Sequence, residues 1–233
     1  MRYVIKFTKG EEIKFISHLD LMRTIQRIIK RSGLQVEYSK GFNPHMALSL
    51  AQPLSVGVYS DGEYLDLVLV EEMKCEDVIN ALNEAAPPTI KFLHANAVKI
   101  IENVKRLPQA MALLDGARYT IKVKLNSEEN VEQEIQDVLK EAKWEIVKKS
   151  KKGEKLTDIK PLVKEFKFWI KDGELIINTL VATGSRENLS ADLLVNYLKE
   201  KVENINKDSF VNIKREEMYI LKNNKYVPVY KAI

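Results

Sequence analysis

The sequence is poor in the residues that carry metal and redox chemistry. Of its 233 residues one is cysteine, Cys75, and three are histidines, His18, His45 and His94. A single thiol forbids an internal disulfide, a zinc ribbon and a self-contained iron–sulfur cluster, which take several thiolates. The three histidines fit no metal spacing. Long apolar runs are missing too. Nothing approaches the roughly 20 apolar residues of a membrane span, and the opening stretch MRYVIKFTKGEEIKF lacks the apolar core of a signal peptide. A cytosolic protein with no metal, no cofactor and no membrane contact is therefore expected. Charge of one sign is not in large excess: 37 Lys and Arg against 33 Asp and Glu leave +4. That balance permits contact with nucleic acid without demanding it. Also absent are a GxxxxGK[ST] loop, a Rossmann glycine fingerprint after the first strand and a GxSxG elbow. Common nucleotide hydrolases and serine hydrolases are therefore poor guesses.

What remains is an ordinary globular composition, 45% apolar and 30% charged, with length enough for two domains. Two Asp-Gly pairs punctuate it. Asp61-Gly62 stands between QPLSVGVYS and EYLDLVLV, and Asp172-Gly173 between LVKEFKFWIK and ELIINTLVA. Both read as tight hairpin turns with positive φ. Before each turn comes an alternating strand (RYVIKFT, ARYTIKVKL) and then a helix, at 17–31 and 128–142. A short β-rich segment follows, GLQVEYS in one case and KWEIVKKS in the other. After each turn comes a second helix (76–86, 190–203) and a closing strand (TIKFLHANAVKI, NIKREEMYILK). Strand, helix, hairpin, helix, strand occurs twice. The expectation is an α+β protein of tandem duplicated ferredoxin-like halves, β-α-β-β-α-β, with antiparallel sheets and helices on one face of each. A cut near Pro108 gives halves 1–108 and 109–233. In the segment 64–70, Leu65, Leu67 and Leu69 share one face while Tyr64, Asp66 and Val68 share the other. The faces presented by Tyr3, Phe166 and Trp169 are left open.

Three features between Phe15 and Pro53 can carry function. Arg23, Arg27, Lys30 and Arg31 form a basic stripe beside the apolar one (Leu21, Met22, Ile25, Ile28, Ile29) of a helix capped by Ser17. Such a stripe can follow an RNA backbone, or be a solvated helix face. The loop SKGFNPH, with Gly41, Asn43 and His45, has the composition of a site-bearing loop, or of a plain turn. His18 and Asp20 lie on the first turn of the helix, where main-chain N–H groups attract anions. His18, Asp20, Tyr38, Gly41, Asn43 and His45 are thus candidates for one phosphate or carboxylate cleft, and a metal held by His18, Asp20 and His45 is the lesser alternative. In the second half, lysines 148, 149, 151, 152 and 155 crowd a loop, and Thr183, Gly184, Ser185 and Asn188 precede a helix as a phosphate nest or, better, an elaborate cap.

The run FISHLDLMRTIQRIIKRSGLQVEYSKGFNPH, followed by LAQPLSVGVYSDGEYLDLVL, resembles a bacterial family of radical-SAM-linked proteins of unknown function. The likeness extends through KLTDIKPLVKEF, ATGSRENLSADLL and IKREEMYIL. Met46 stands where many relatives are expected to have proline. The resemblance implies an association with a separate radical-SAM enzyme, since one cysteine cannot supply that enzyme's CxxxCxxC cluster, and it supplies no catalytic assignment. Tandem ferredoxin-like halves are also the layout of repeat-associated RNA-binding proteins of CRISPR systems, a likeness of fold alone. The expected function is an accessory that binds RNA or presents a substrate. An RNA-processing enzyme using His18 or His45 as acid or base, and a protein–protein adaptor, are the alternatives.

Overall fold

The computed structural model describes residues 1–98, 107–150 and 153–233, the side chains of 149 and 150 excepted. The elements in chain order are β1 (Arg2–Lys9), α1 (His18–Arg31), β2 (Leu48–Leu50), β3 (Val58–Val68), α2 (Cys75–Ala85), β4 (Phe92–Val98), α3 (Ala110–Leu113) and β5 (Gly116–Lys124). They continue with α4 (Val131–Lys140), β6 (Glu145–Ser150), β7 (Gly153–Asp158), β8 (Val163–Lys171), β9 (Glu174–Ala182), α5 (Ala191–Lys201), β10 (Asn212–Lys222), β11 (Lys225–Pro228) and α6 (Val229–Ala232). The protein is α+β, and the strand pairs described below are antiparallel. Among the described residues no helix is long and apolar enough to cross a membrane.

Two compact units result, Met1–Asp115 with Arg215–Ile233, and Gly116–Lys214. They differ from the contiguous halves divided at Pro108: the chain crosses over after Asp115, and its last nineteen residues rejoin the first unit.

In the first unit β1 lies between β4 and β3. With β1 on one edge of β3, β2 and β10 share the other, and β11 pairs with β10. Tyr3, Ile5 and Phe7 of β1, Leu65 and Leu67 of β3, Leu21, Ile25 and Ile28 of α1 and Val78 and Leu82 of α2 form one buried core. Both helices therefore cover the same sheet face, as the alternation in 64–70 requires. The Asp61-Gly62 turn is not there. Both residues lie inside β3, and Gly62 is absent from the positive-φ glycines. A Cβ on Gly62 would stand 2.7 Å from the Glu216 carbonyl oxygen and 2.8 Å from Glu217 Cα. This glycine admits the backbone of β10, the other common meaning of glycine within a strand. GLQVEYS is not a regular strand either. It lies along the end of β3 through the Glu37 N–H to Val68 O bond (2.9 Å), the Val70 N–H to Gln35 O bond (2.9 Å) and a Val36–Leu69 bridge.

In the second unit β9 lies between β5 and β8. Asp172 (φ 52°) and Gly173 (φ 71°) both adopt the left-handed region between β8 and β9, so this Asp-Gly pair does make the tight turn. KWEIVKKS pairs with β7 in a separate two-stranded sheet rather than joining the main one. Trp144, buried, donates its indole N–H to Val138 O of α4 at 2.9 Å, stacks on Tyr197 of α5 and meets Phe166 of β8 edge-on. These contacts place α4 and α5 on the Phe166 side of this sheet.

Candidate functional site

The start of α1 is built as the sequence dictates. Ser17 Oγ accepts the Asp20 N–H (3.2 Å) and donates to Asp20 Oδ2 (2.7 Å). Arg23 closes on Asp20 Oδ1 at 3.0 Å. The Ser17 hydroxyl and the Arg23 guanidinium hold the Asp20 carboxyl below its ordinary range. Asp20 is thereby occupied by its own helix. His18 is half-buried, and its Nδ1 is shielded from solvent without a hydrogen-bond partner among the described residues.

Positions 39–45 form an exposed loop closed at its base by two bonds, Ser39 N–H to His45 O (2.8 Å) and His45 N–H to Ser39 Oγ (2.9 Å). Tyr38 bridges to Met46 beneath it. Gly41 takes φ 139°, and Phe42 at the tip is fully exposed. The loop leaves the sheet beside Val68, which pairs with Arg2 at the beginning of β1. α1 starts beyond the other end of β1. The bonds ordering Ser17–Asp20 and those ordering Ser39–His45 stay within their own segments. Asp20 is thus joined to neither His18 nor the Tyr38–His45 loop by these bonds. Among the described residues no group of three or more His, Cys, Asp and Glu side chains is placed to hold a metal ion.

All four cations of the α1 stripe are exposed. Arg23 is paired with Asp20, and Arg31 donates to Ala85 O of α2 at 2.7 Å, tethering the two helices. Lys148 and Lys155 face each other across the β6–β7 hairpin. Lys151 and Lys152 lie outside the described residues, as do Asn103–Arg106 of the expected connector. Before α5 the cap is Ser190, whose Oγ accepts the Leu193 N–H at 3.3 Å.

The sequence reading missed a buried charged network in the first unit. Lys9 is fully buried and donates to three carbonyls, Lys14 (2.9 Å), Val58 (3.0 Å) and Ile16 (3.4 Å). It pins the segment that leads into α1, and burial pushes its pKa down. Arg215 Nη1 lies 2.9 and 3.0 Å from the two carboxylate oxygens of buried Glu63. Glu217 receives Lys6 Nζ (2.7 Å) and the Tyr64 hydroxyl (2.7 Å). Burial, then the Glu217 charge, pushes the Tyr64 phenol far above its ordinary value. Asp66 accepts the Ala110 N–H at 2.8 Å, and burial raises its carboxyl. Parity gave a signal for Lys9, which continues the inward series Tyr3, Ile5, Phe7.

A family model described as an uncharacterized protein conserved in bacteria (DUF2344) matches residues 2–191. No curated protein matches the chain. A chain in the crystal structure of a Cbf5–Nop10–Gar1 complex is similar with a TM-score of 0.52 and 14% identity, over 93% of this chain and 48% of that one. The present chain thus spans about half the length of that neighbour. A structure of an unknown protein from Galdieria sulphuraria is 13% identical over 92% of this chain and 96% of that one, with a TM-score of 0.26. The first likeness bears on fold, and agrees with a mixed α+β architecture built on antiparallel strands.

Proposed function

This chain belongs to the DUF2344 family of uncharacterized proteins conserved in bacteria, and we propose that it is an RNA-binding accessory protein without catalysis of its own. The observation that carries the reading is the outer face of α1. Arg23, Arg27, Lys30 and Arg31 all reach solvent there, while Asp20, their neighbouring carboxylate, is engaged with Ser17 and Arg23. A helix face of this kind meets phosphates in a way that carries little sequence information. The association with a separate radical-SAM enzyme belongs to the same proposal and rests on the resemblance of the SHLDLMR and YSKGFNPH segments. The duplicated ferredoxin-like plan, read from the repeated order of strand, helix, hairpin, helix and strand, is also part of the proposal. It is supported in the first unit by the sheet order β4-β1-β3 with β2 on β3, and in the second by the succession β5, α4, β8, β9, α5 with the β6–β7 hairpin inserted.

Fluorescence anisotropy with labelled single-stranded RNA at low salt tests the function. Wild-type binding should weaken as salt rises. Replacing Arg23, Arg27 and Arg31 together by alanine should weaken it for all sequences alike, with the thermal midpoint as a control for the lost Arg31–Ala85 tether. No detectable RNA affinity at low salt would refute the reading.

A further inference from the structure

The second unit has a sheet face that its own helices leave open, and the strand register fixes what stands on it. Thr120 of β5 pairs with Asn178 of β9, and Asn178 with Lys167 of β8. One row along, Lys122 pairs with Ile176 and Ile176 with Trp169. The next row is Lys124, Glu174 and Lys171. Directly paired residues point to the same side of a sheet. Side-chain bonds confirm the side: Asn178 donates to Thr120 at 3.1 Å, and Arg118 donates to Asn178 (2.8 Å) and Glu165 (2.6 Å). Phe166 and Phe168, of opposite parity, belong to the side where Trp144, α4 and α5 are packed.

Two properties of this face point to one kind of occupant. It carries Arg118, Lys122, Lys124, Lys167 and Lys171 against Glu165 and Glu174, and Glu165 is spent on Arg118. Lys122, Lys124, Lys167 and Lys171 are all exposed. In their midst lies Trp169, 45% exposed, whereas the protein's other tryptophan, Trp144, is 1% exposed. An indole left in water costs solvation that a core position would have recovered. Flanked by cations at i−2 and i+2 on its own strand and by Lys122 across Ile176, it offers a flat π surface among phosphate-seeking charges. Aromatic side chains on an open sheet, bordered by Lys and Arg, suit single-stranded nucleic acid, whose unpaired bases stack while its backbone follows the cations. An apolar protein surface would find four desolvated lysines here.

We propose that the open face of the β5–β9–β8 sheet is a stacking platform for single-stranded RNA, with Trp169 under a base and Lys122, Lys124, Lys167 and Lys171 along the phosphates. This rests on the RNA-binding reading above and assigns it a second surface. The experiment titrates the full chain with a short oligouridylate while following tryptophan emission. Trp169 emission should be quenched on binding, over an unchanged background from Trp144. Trp169→Ala should weaken binding about tenfold, and Trp169→Phe should keep most of the affinity while losing the quench. Lys122→Gln with Lys167→Gln should reduce the slope of log affinity against log salt by about 1.4. All three are surface changes, so their thermal midpoints should match wild type.

If the wild type binds RNA, and the α1 triple variant weakens binding while the Trp169 and lysine variants do not, the platform is refuted and the RNA-binding reading stands. If the wild type binds no RNA, both fall together. Polyglutamate quenching Trp169 at lower concentration than oligouridylate would mark the face as a dock for an acidic protein and overturn the proposal.

Discussion

At the scale of single residues, Gly62 is required by the approach of β10, whose backbone lies 2.7 Å from where a Cβ would sit. Gly62→Ala should therefore destabilise the protein by about 1–3 kcal/mol in urea unfolding, since both atoms it would strike are backbone. Glu63 and Arg215 form a pair with side chains only 4% and 3% exposed. Glu63→Ala should cost about 3–5 kcal/mol, and the double change with Arg215→Met much less than the sum, because a lone buried charge is worse than none. Asp66 carries a pH signature. Burial raises its folded pKa above the ordinary 3.8, against the opposing pull of the Ala110 N–H and then Arg2. Its stabilising contribution is full below 3.8 and is lost as pH rises through the raised folded value. The stability of wild type relative to Asp66→Asn, which keeps an acceptor for Ala110, should fall over that interval in unfolding curves taken at several pH values. A flat difference would show that Asp66 does not titrate differently on folding.

Elements show where sequence pattern suffices. Leu21, Ile25, Ile28 and Ile29 are the buried stripe of α1, Ser17 is its cap, and both follow from spacing and capping chemistry. Ser17→Ala should cost about 1 kcal/mol by thermal unfolding, and removes the hydroxyl that holds Asp20. The Asp172-Gly173 turn was equally legible, because adjacent residues with positive φ between two alternating runs leave few other conformations. GLQVEYS and KWEIVKKS were not. Both have strand composition, but regular pairing needs an available edge over the full length. Leu48–Leu50 takes the β3 edge beside Leu65–Leu67, and Gly153–Asp158 supplies a local partner for KWEIVKKS. The candidate site suffered the same limit. The composition of Ser39–His45 specifies a loop, but its departure from the sheet beside Val68 depends on which residues won that edge.

For the molecule as a whole, the decisive fact is that Arg215–Ile233 belongs to the first unit. These residues bring Arg215 to Glu63, Glu217 to Lys6 and Tyr64, and Tyr230 into a stack on His94 at 4.7 Å. Asn96 of β4 donates to the Tyr230 and Ile233 carbonyls. A chain ending at Lys214 should lose the native state of the first unit. Hydrogen exchange should show β1 and β3 unprotected in the truncated chain and protected in the intact one.

The sequence alone determined the α+β class, the positions of the longer helices, the shared face of Leu65, Leu67 and Leu69 and the basic face of α1. Each is a local consequence of periodicity, capping or side-chain charge, so residues within one or two turns of each other suffice to specify it. Tertiary structure decided the rest. It chose Trp144 for the core and Trp169 for solvent, set buried Lys9 on the carbonyls of Lys14, Ile16 and Val58, paired Glu63 with Arg215 and Glu217 with Lys6, and sent the last strand back to the first unit. Those outcomes join residues as far apart as Lys6 and Glu217, 211 positions. Long-range burial and pairing fix them by which backbone edge and which opposite charge are within reach, and no local pattern encodes that choice.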